Sequence, residues 1–114
     1  MKKLRIVMVM LTSITLHSQQ VKAEFPICTN SAEQSYCSVG GDIVVWEDRR
    51  NGNYDIYGYD LSTSTEFAIC TNSATQRQVS ISGDIVVWKD SRNSSDDIYG
   101  YDLSTSTEFT ICTN

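Results

Sequence analysis

Histidine is almost absent from this sequence of 114 residues, in which His17 is the single copy. Catalytic sites of the Ser-His-Asp and Cys-His types use a histidine as general base, and zinc sites most often use one as a nitrogen ligand. His17 also lies near the N-terminus, outside the repeated part of the chain. The sequence therefore argues against these hydrolase classes, and we expect a protein that is not an enzyme.

Long apolar runs are lacking as well. The longest covers residues 6–16, and these 11 residues are too few to span a bilayer about 30 Å thick. The run comes after Lys2, Lys3 and Arg5 and ahead of the sequence VKA at 21–23, which is the pattern of a secretory signal peptide. We predict that residues 1–23 are removed. The remaining chain is then secreted to the cell surface or periplasm, without insertion into a membrane.

Basic residues are scarce in the remaining chain, 24–114. Fourteen acidic residues face five basic ones, which gives a net charge of −9; the basic residues are Arg49, Arg50, Arg77, Lys89 and Arg92. An acidic surface repels the phosphates of nucleic acids and anionic lipids. We therefore expect no nucleic-acid partner, and we interpret the charge as that of a soluble exported protein.

What the chain does contain is a repeat of 42 residues. Residues 25–66 and 67–108 are identical at 30 of 42 positions and align without a gap. Phe25 recurs as Phe67 and again as Phe109, and Trp46 recurs as Trp88. A strict period of this length is typical of repeat architectures.

Each repeat contains four short β-prone runs separated by turn residues. The apolar, β-branched run at 43–46 is typical of a buried strand, and Asn51 followed by Gly52 is a strong hairpin signal. The second copy has serines in place of this glycine and the next residue, so we expect a looser turn there. Four short antiparallel strands predict a β-propeller blade in an all-β protein. We place blade 1 at about 31–72, blade 2 at about 73–114 and an extra leading strand at about 24–30.

Acidic and amide side chains around the two hairpins form a weak candidate for a calcium site. Calcium takes about 6 to 8 oxygen ligands. The spacing is not that of an EF-hand, and Asp and Asn also favour turns for backbone reasons. Calcium therefore stays an alternative to a protein without metal or cofactor. The candidate ligands are Asp48, Asn51, Asn53, Asp55, Asp90, Asn93, Asp96 and Asp97.

Each hairpin also pairs an aspartate with an arginine two positions later. These are Asp48 and Arg50 in the first copy, and Asp90 and Arg92 in the second. Side chains two positions apart on a strand point to the same face. We predict a repeated ion pair in an exposed loop, which contributes about 0 to 1 kcal/mol and shapes the hairpin.

The aromatic residues allow two interpretations. Trp46 and Trp88 lie at strand-centre positions, where packing between blades is the expected role. The alternative is a platform on which sugars stack, together with the tyrosines of the following strand.

The cysteines of the repeat are predicted to be free. Cys28, Cys70 and Cys112 are equivalent, so neighbouring copies lie one blade apart, beyond the Cα separation of about 7 Å that a disulfide bridges. Cys37 takes the place of Val79 in the next copy. We expect all four to act as small, buried apolar residues.

The repeat resembles the TolB-like β-propeller repeat. The resemblance rests on the sequence GDIVVW, a hairpin related to Asp-x-Arg-Asn-Gly-Asn, and the runs DIY and DL that follow it. It implies blades arranged radially around a channel, in exported or cell-envelope proteins of bacteria or archaea. It also implies that the motif residues are architectural. The hairpin motif falls on Asp48, Arg50, Asn51, Gly52 and Asn53, and on Asp90, Arg92 and Asn93.

The number of blades departs from this pattern. Closed propellers contain about four to eight blades, and this chain holds two. Two interpretations stay open: several copies assemble into a ring, or the sequence is a truncated piece of a longer propeller. The leading strand predicted at 24–30 favours the second, because in a ring of copies it competes with the last strand of a neighbour.

The sequence thus predicts a non-catalytic, exported propeller module that serves as a structural or binding scaffold. Its expected partners are other propeller blades, a second copy of itself, or a protein or glycan at the cell surface. The alternative is a small lectin-like protein that completes its propeller by oligomerisation and binds glycans between blades.

Overall fold

The computed structural model describes residues 24–114, which fold into two four-stranded antiparallel sheets. The signal peptide predicted at 1–23 lies outside the described residues. The first sheet contains β1 (Gln34–Gly40), β2 (Ile43–Asp48), β3 (Asp55–Asp60) and β4 (Thr65–Cys70), and the second contains β5 (Gln76–Ser82), β6 (Ile85–Asp90), β7 (Asp97–Asp102) and β8 (Thr107–Cys112). Within the described residues no helix occurs. The all-β class is therefore confirmed.

Both sheets have the meander order of a propeller blade, in which each strand pairs with the next along the chain. The turn between the first two strands uses a glycine with φ +55°, at Gly41 and again at Gly83. The first strand of each sheet carries a β-bulge, between Ser35 and Ser38 and between Arg77 and Ser80. The repeat in sequence is thus a repeat in strand order, register and irregularity.

The two sheets pack through the innermost strand of the second blade, β5, which lies against β1, β2 and β3. Val45, Ile56 and Val86 are fully buried in the shared core, and Val79 and Ile81 of β5 are nearly so. Successive side chains of a strand point to opposite faces of the sheet. In β5, Val79 and Ile81 therefore point into the core, and Ser80 between them is exposed. The sheets do not close on each other, which makes this an incomplete propeller.

The structure differs from the prediction at the leading segment. Residues 24–30 form no strand, although their sequence EFPICTN is almost that of β8 and its flanks, EFTICTN. A strand needs hydrogen-bonded neighbours, and the third strand of a preceding blade is not among the described residues. Pro26 also stands where the second repeat has an N–H donor, and proline has none.

The two hairpin tips have similar backbones but different residues. Gly52 and Ser94 both adopt positive φ, at +94° and +68°, and the N–H of each donates to the carbonyl three residues earlier. Glycine enters this region freely, whereas serine is strained there. The second blade therefore keeps the turn and bears a local backbone cost.

Candidate functional site

The hairpin of the first blade is built on a buried carboxylate. Asp48 has no solvent exposure, and its Oδ2 accepts hydrogen bonds from Trp46 Nε1 at 3.0 Å and Arg50 Nη2 at 2.7 Å. Its Oδ1 accepts from the backbone N–H and the Nε of Arg50, at 2.9 and 3.0 Å. Burial by itself disfavours the charge, but the Arg50 and Trp46 hydrogen bonds outweigh it and lower the pKa of Asp48 to about 2. The carboxylate is therefore ionised, and its acceptor capacity is used within the hairpin.

Arg50 joins this carboxylate to the outer strand. Its Nη1 lies 2.6 Å from Oε1 of Glu66 on β4, and its guanidinium lies over the ring of Tyr57 at 4.0 Å. The hydrogen bonds to Asp48 and Glu66 raise the pKa of Arg50. A bidentate pair that also stacks on an aromatic ring uses the planar fork of arginine, which lysine cannot reproduce. The arginine thus ties together three of the four strands of its blade.

The second blade repeats this network. Arg92 Nη2 lies 2.7 Å from Asp90 Oδ2, Trp88 Nε1 donates to the same oxygen at 3.0 Å, and Glu108 lies 2.7 Å from Arg92 Nη1. Tyr99 lies under the guanidinium at 3.9 Å. The predicted pairs are therefore formed, but their exposure was predicted wrongly, because both carboxylates are buried behind tryptophan side chains.

A second polar cluster holds the tip of the first hairpin. Asp55 is buried and accepts from Asn51 Nδ2 at 2.6 Å and Asn53 Nδ2 at 3.1 Å. Burial raises the pKa of Asp55, although the two asparagine hydrogen bonds oppose this shift. Asn53 Nδ2 also donates to the carbonyls of Asn72 and Ala74, which lie in the link to the second blade. This cluster therefore fixes the connection between the blades.

The corresponding cluster of the second blade is looser. Asn93 Nδ2 donates to Asp97 Oδ2 at 2.7 Å, but Ser95 takes the place of Asn53 and reaches Asp97 and the carbonyl of Asn114 at 3.3 Å each. Asp96 points elsewhere and pairs with Lys89 at 2.7 Å.

The candidate calcium ligands are thus brought together blade by blade with the exception of Asp96, but protein donors already occupy their carboxylates. Within residues 24–114 no group of three or more His, Cys, Asp or Glu side chains is placed to hold a metal ion. Calcium binding stays a prediction, to be checked by the melting temperature with and without the ion.

Sequence reasoning missed a charged residue at the junction between the blades. Glu47 is fully buried, and its carboxylate accepts from the backbone N–H of Gln78 in the bulge of β5. Arg77 Nε lies 3.4 Å from the other oxygen. One signal in the sequence marks this position: Glu47 is replaced by Lys89 in the next repeat, at one of the few positions where the two copies differ in charge.

A polar cleft of about 250 Å³ opens next to this junction. Tyr36 of β1 forms one side, and Arg77 and Gln78 of β5 form the other. The positively charged Lys89 and the negatively charged Asp96 also line the cleft and form an ion pair with each other. The cleft therefore offers hydrogen-bond donors, acceptors and an aromatic ring within one concave surface.

The prediction that the cysteines are buried is confirmed for Cys70 alone. Burial raises the pKa of the Cys70 thiol to about 12, so it stays protonated. Cys37 and Cys112 are exposed, and Cys28 is half-buried. The exposed pair lies on outer blade faces, where the covering blade expected from the repeat is not part of the described chain.

The hairpin aspartates of residues 24–114 are held by arginine, tryptophan and asparagine donors, and the buried Cys70 thiol is protonated. In the same residues no helix is long and apolar enough to cross a membrane.

Comparison with solved structures identifies the architecture. A structure from Agrobacterium tumefaciens described as TolB has a TM-score of 0.67 and 16% sequence identity, covering 77% of this chain and 33% of that one. TolB from Acinetobacter baumannii has a TM-score of 0.58 and 22% identity, covering 77% of this chain and 23% of that one.

The chain thus spans about a third and about a quarter of the length of these two proteins. No protein-family profile matches the chain, and no curated protein is similar to it in sequence. At these identities the likeness shows the fold, which is that of TolB-like propeller blades and confirms the resemblance seen in the repeat.

Proposed function

We propose that this chain is a non-catalytic, exported propeller module that serves as a structural or binding scaffold outside the cytoplasm. The observation that carries this proposal is the internal use of the polar hairpin groups. Asp48, Asp90 and their arginines are hydrogen-bonded to one another behind tryptophan rings, so they hold the blade and do not face a substrate. Binding is then left to the outer faces and to the cleft between blades.

Export is proposed on the N-terminal pattern. Three basic residues, an apolar run of 11 residues and the sequence VKA resemble a cleaved secretory signal, and the acidic remainder is that of a soluble protein. A propeller needs more blades than two, which either a longer polypeptide or further copies of this chain can supply.

The proposal is tested by fusing the whole chain to a phosphatase reporter that folds only outside the cytoplasm. We expect reporter activity and a processed N-terminus at Glu24. A matched fusion with Lys2, Lys3 and Arg5 replaced by glutamate should lose both. Cytoplasmic retention of the unchanged fusion contradicts export, and hydrolysis of a broad ester, peptide and glycoside panel by the purified chain contradicts the scaffold function.

A second candidate function is glycan binding in the inter-blade cleft. The observation that favours it is the proximity of an exposed aromatic ring, Tyr36, to the charged groups of Arg77 and Asp96. Sugars bind proteins by stacking on such rings and bonding to the polar groups around them. A glycan array should then give signals that Tyr36→Ala and Asp96→Ala remove and Tyr59→Phe, outside the cleft lining, retains. A blank array contradicts this second candidate.

A further inference from the structure

The outer face of the second blade exposes residues that are buried in the first. Ile98 and Ile111 are 38% and 52% exposed, whereas their repeat equivalents Ile56 and Ile69 are 0% and 7% exposed. In the first blade both side chains belong to the core shared with the second blade, whose β5 lies against β3 and contributes Val79 and Ile81 to that core. The second blade therefore presents the same apolar surface with no strand against it in the described chain.

The opposite face of the first blade shows the complementary difference. Val39 of β1 is 64% exposed and Cys37 is exposed, whereas the equivalents in β5, Ile81 and Val79, are 9% and 8% exposed. These two residues of β5 are the ones that insert between the blades. The first blade thus carries an uncovered copy of the inserting strand.

The leading segment 24–30 partly covers the first blade on the side where β1 exposes Val39 and Cys37. Cys28 Sγ lies 3.4 Å from Arg50 Nη2, just as Cys70 Sγ at the end of β4 lies 3.3 Å from Arg92 Nη2. The segment therefore holds the place of the last strand of a preceding blade.

The leading segment fits this place incompletely. A groove of about 350 Å³ remains between it and the first blade, lined by Phe25, Ile27, Tyr36, Cys37, Val44 and Trp46. At the junction within the chain the equivalent space is closed by β2 and β3 of the first blade, which bring the fully buried Val45 and Ile56.

We propose that a second copy of this chain docks head to tail, so that the outer face of its second blade covers β1 of the first copy. Its β8 takes the place of the leading segment, because 108–114 matches 24–30 at every position except one, where Thr110 replaces Pro26. Thr110 already pairs with Tyr99 inside the second blade, so the incoming strand arrives as part of a complete sheet. This inference rests on the proposed scaffold function and specifies its partner.

The interface is heterologous, since two different faces meet, and such contacts form rings when the rotation closes. Rings of about four to eight blades correspond to two to four copies of a two-blade chain. Lys89 stands in the second blade where Glu47 stands in the first, so the contact between copies lacks the carboxylate that accepts from the bulge N–H. We therefore expect an association that is weaker than the junction within the chain and depends on concentration.

The test uses two variants of the chain that begins at Glu24, each with one face disabled. Ile98→Glu places a charge on the covering face, and Val39→Glu places one on the inserting strand. Both sites are exposed, so both variants should keep the circular dichroism and melting temperature of the parent. Light scattering should show the parent as two to four copies at high concentration and each variant alone as a monomer.

Mixing the two variants gives the decisive result. Each keeps one intact face, so we expect a 1:1 dimer that grows no further. A mixture that stays monomeric while both variants are folded overturns the proposal, as does a parent that stays monomeric at about millimolar concentration. Association of either variant alone would point to a contact between like faces and would also overturn it.

A third variant tests the displacement of the leading segment. Ile27→Asp should loosen that segment from the groove and strengthen association about tenfold or more, because less has to be displaced. Unchanged or weaker association contradicts the displacement. These outcomes concern mass alone, so they are distinguishable from a failure of export or from hydrolysis, which would contradict the proposed function.

Discussion

The two blades are nearly the same sequence in nearly the same fold, yet they differ in which residues are buried. The strands pair in the same register in both blades: Trp46 lies opposite Tyr57 in the first, and Trp88 lies opposite Tyr99 in the second. Isoleucines at matched positions are nevertheless buried in the first blade and exposed in the second. Local sequence therefore determines the strands and turns of a blade, while its neighbours determine which face becomes core.

The arginine–aspartate networks behave differently, since they are alike in both blades. Arg50 and Arg92 each lie 2.7 Å from their aspartate and are equally exposed, at 19% of the side chain. These contacts involve only residues of the same repeat or the strand just before it. The blade thus carries its own polar framework and shares its apolar core.

The largest effect should come from breaking that framework. We expect Arg50→Met and Arg92→Met each to lower the free energy of unfolding by about 3 kcal/mol or more, because each leaves a buried carboxylate without its bidentate partner. Urea denaturation measures the loss. Arg49→Met is the matched control, since its pair with Glu33 is exposed and should contribute about 0 to 1 kcal/mol. Equal losses for Arg49 and Arg50 would show that the network does not hold the blade.

A second pair of substitutions should destabilise the two blades to different extents. Ile56→Ala removes a fully buried side chain and should cost about 2 to 4 kcal/mol, whereas Ile98→Ala should cost about 1 kcal/mol or less in dilute solution. Urea midpoints at low protein concentration check this pair. Equal losses at both sites would contradict the claim that burial depends on the neighbouring blade.

Much of this architecture could be predicted from the sequence. The period, the apolar run at 43–46 and the Asn-Gly hairpin indicate blade and strands because they are local signals. The burial of Asp48 could not be predicted, since it depends on an indole donor that folds over the carboxylate.

The burial of Glu47 could not be predicted for a related reason. Its partner Gln78 belongs to the next blade, and the exchange of Glu47 for Lys89 between the repeats does not by itself reveal that partner. The leading segment was wrongly predicted to be a strand because sequence identity to β8 says nothing about whether a pairing partner exists.

Acid should destabilise both blades through equivalent buried aspartates. The pKa of Asp48 falls from 3.8 to about 2 on folding, so its contribution is complete above pH 4 and is lost as the pH falls towards 2. That contribution is about 2 kcal/mol, and Asp90 shifts in the same direction. The raised pKa of Asp55 acts oppositely and offsets part of the loss.

Melting temperature measured from pH 5 to pH 2 tests this dependence. It should fall over the lower half of that range. The variant Asp48→Asn, although less stable, should show a flatter profile. An unchanged slope in that variant would assign the acid sensitivity to other groups.

The smallest effect concerns the hairpin tips. Exchanging the two residues with positive φ, as Gly52→Ser and Ser94→Gly, should lower and raise stability respectively by about 1 kcal/mol or less. Differential scanning calorimetry of the two variants and the double variant resolves changes of this size. Destabilisation by Ser94→Gly would show that the serine at this tip forms contacts worth more than its backbone strain.

The most direct test of the central claim, that a neighbouring blade converts one face of the repeat into core, is amide hydrogen exchange at two equivalent residues. The Gln78 N–H donates to the buried Glu47, whereas Tyr36 occupies the same bulge on the open face. In the monomeric Ile98→Glu variant we predict that the Gln78 amide exchanges about tenfold or more slowly than that of Tyr36. Equal exchange rates at the two amides would contradict the account.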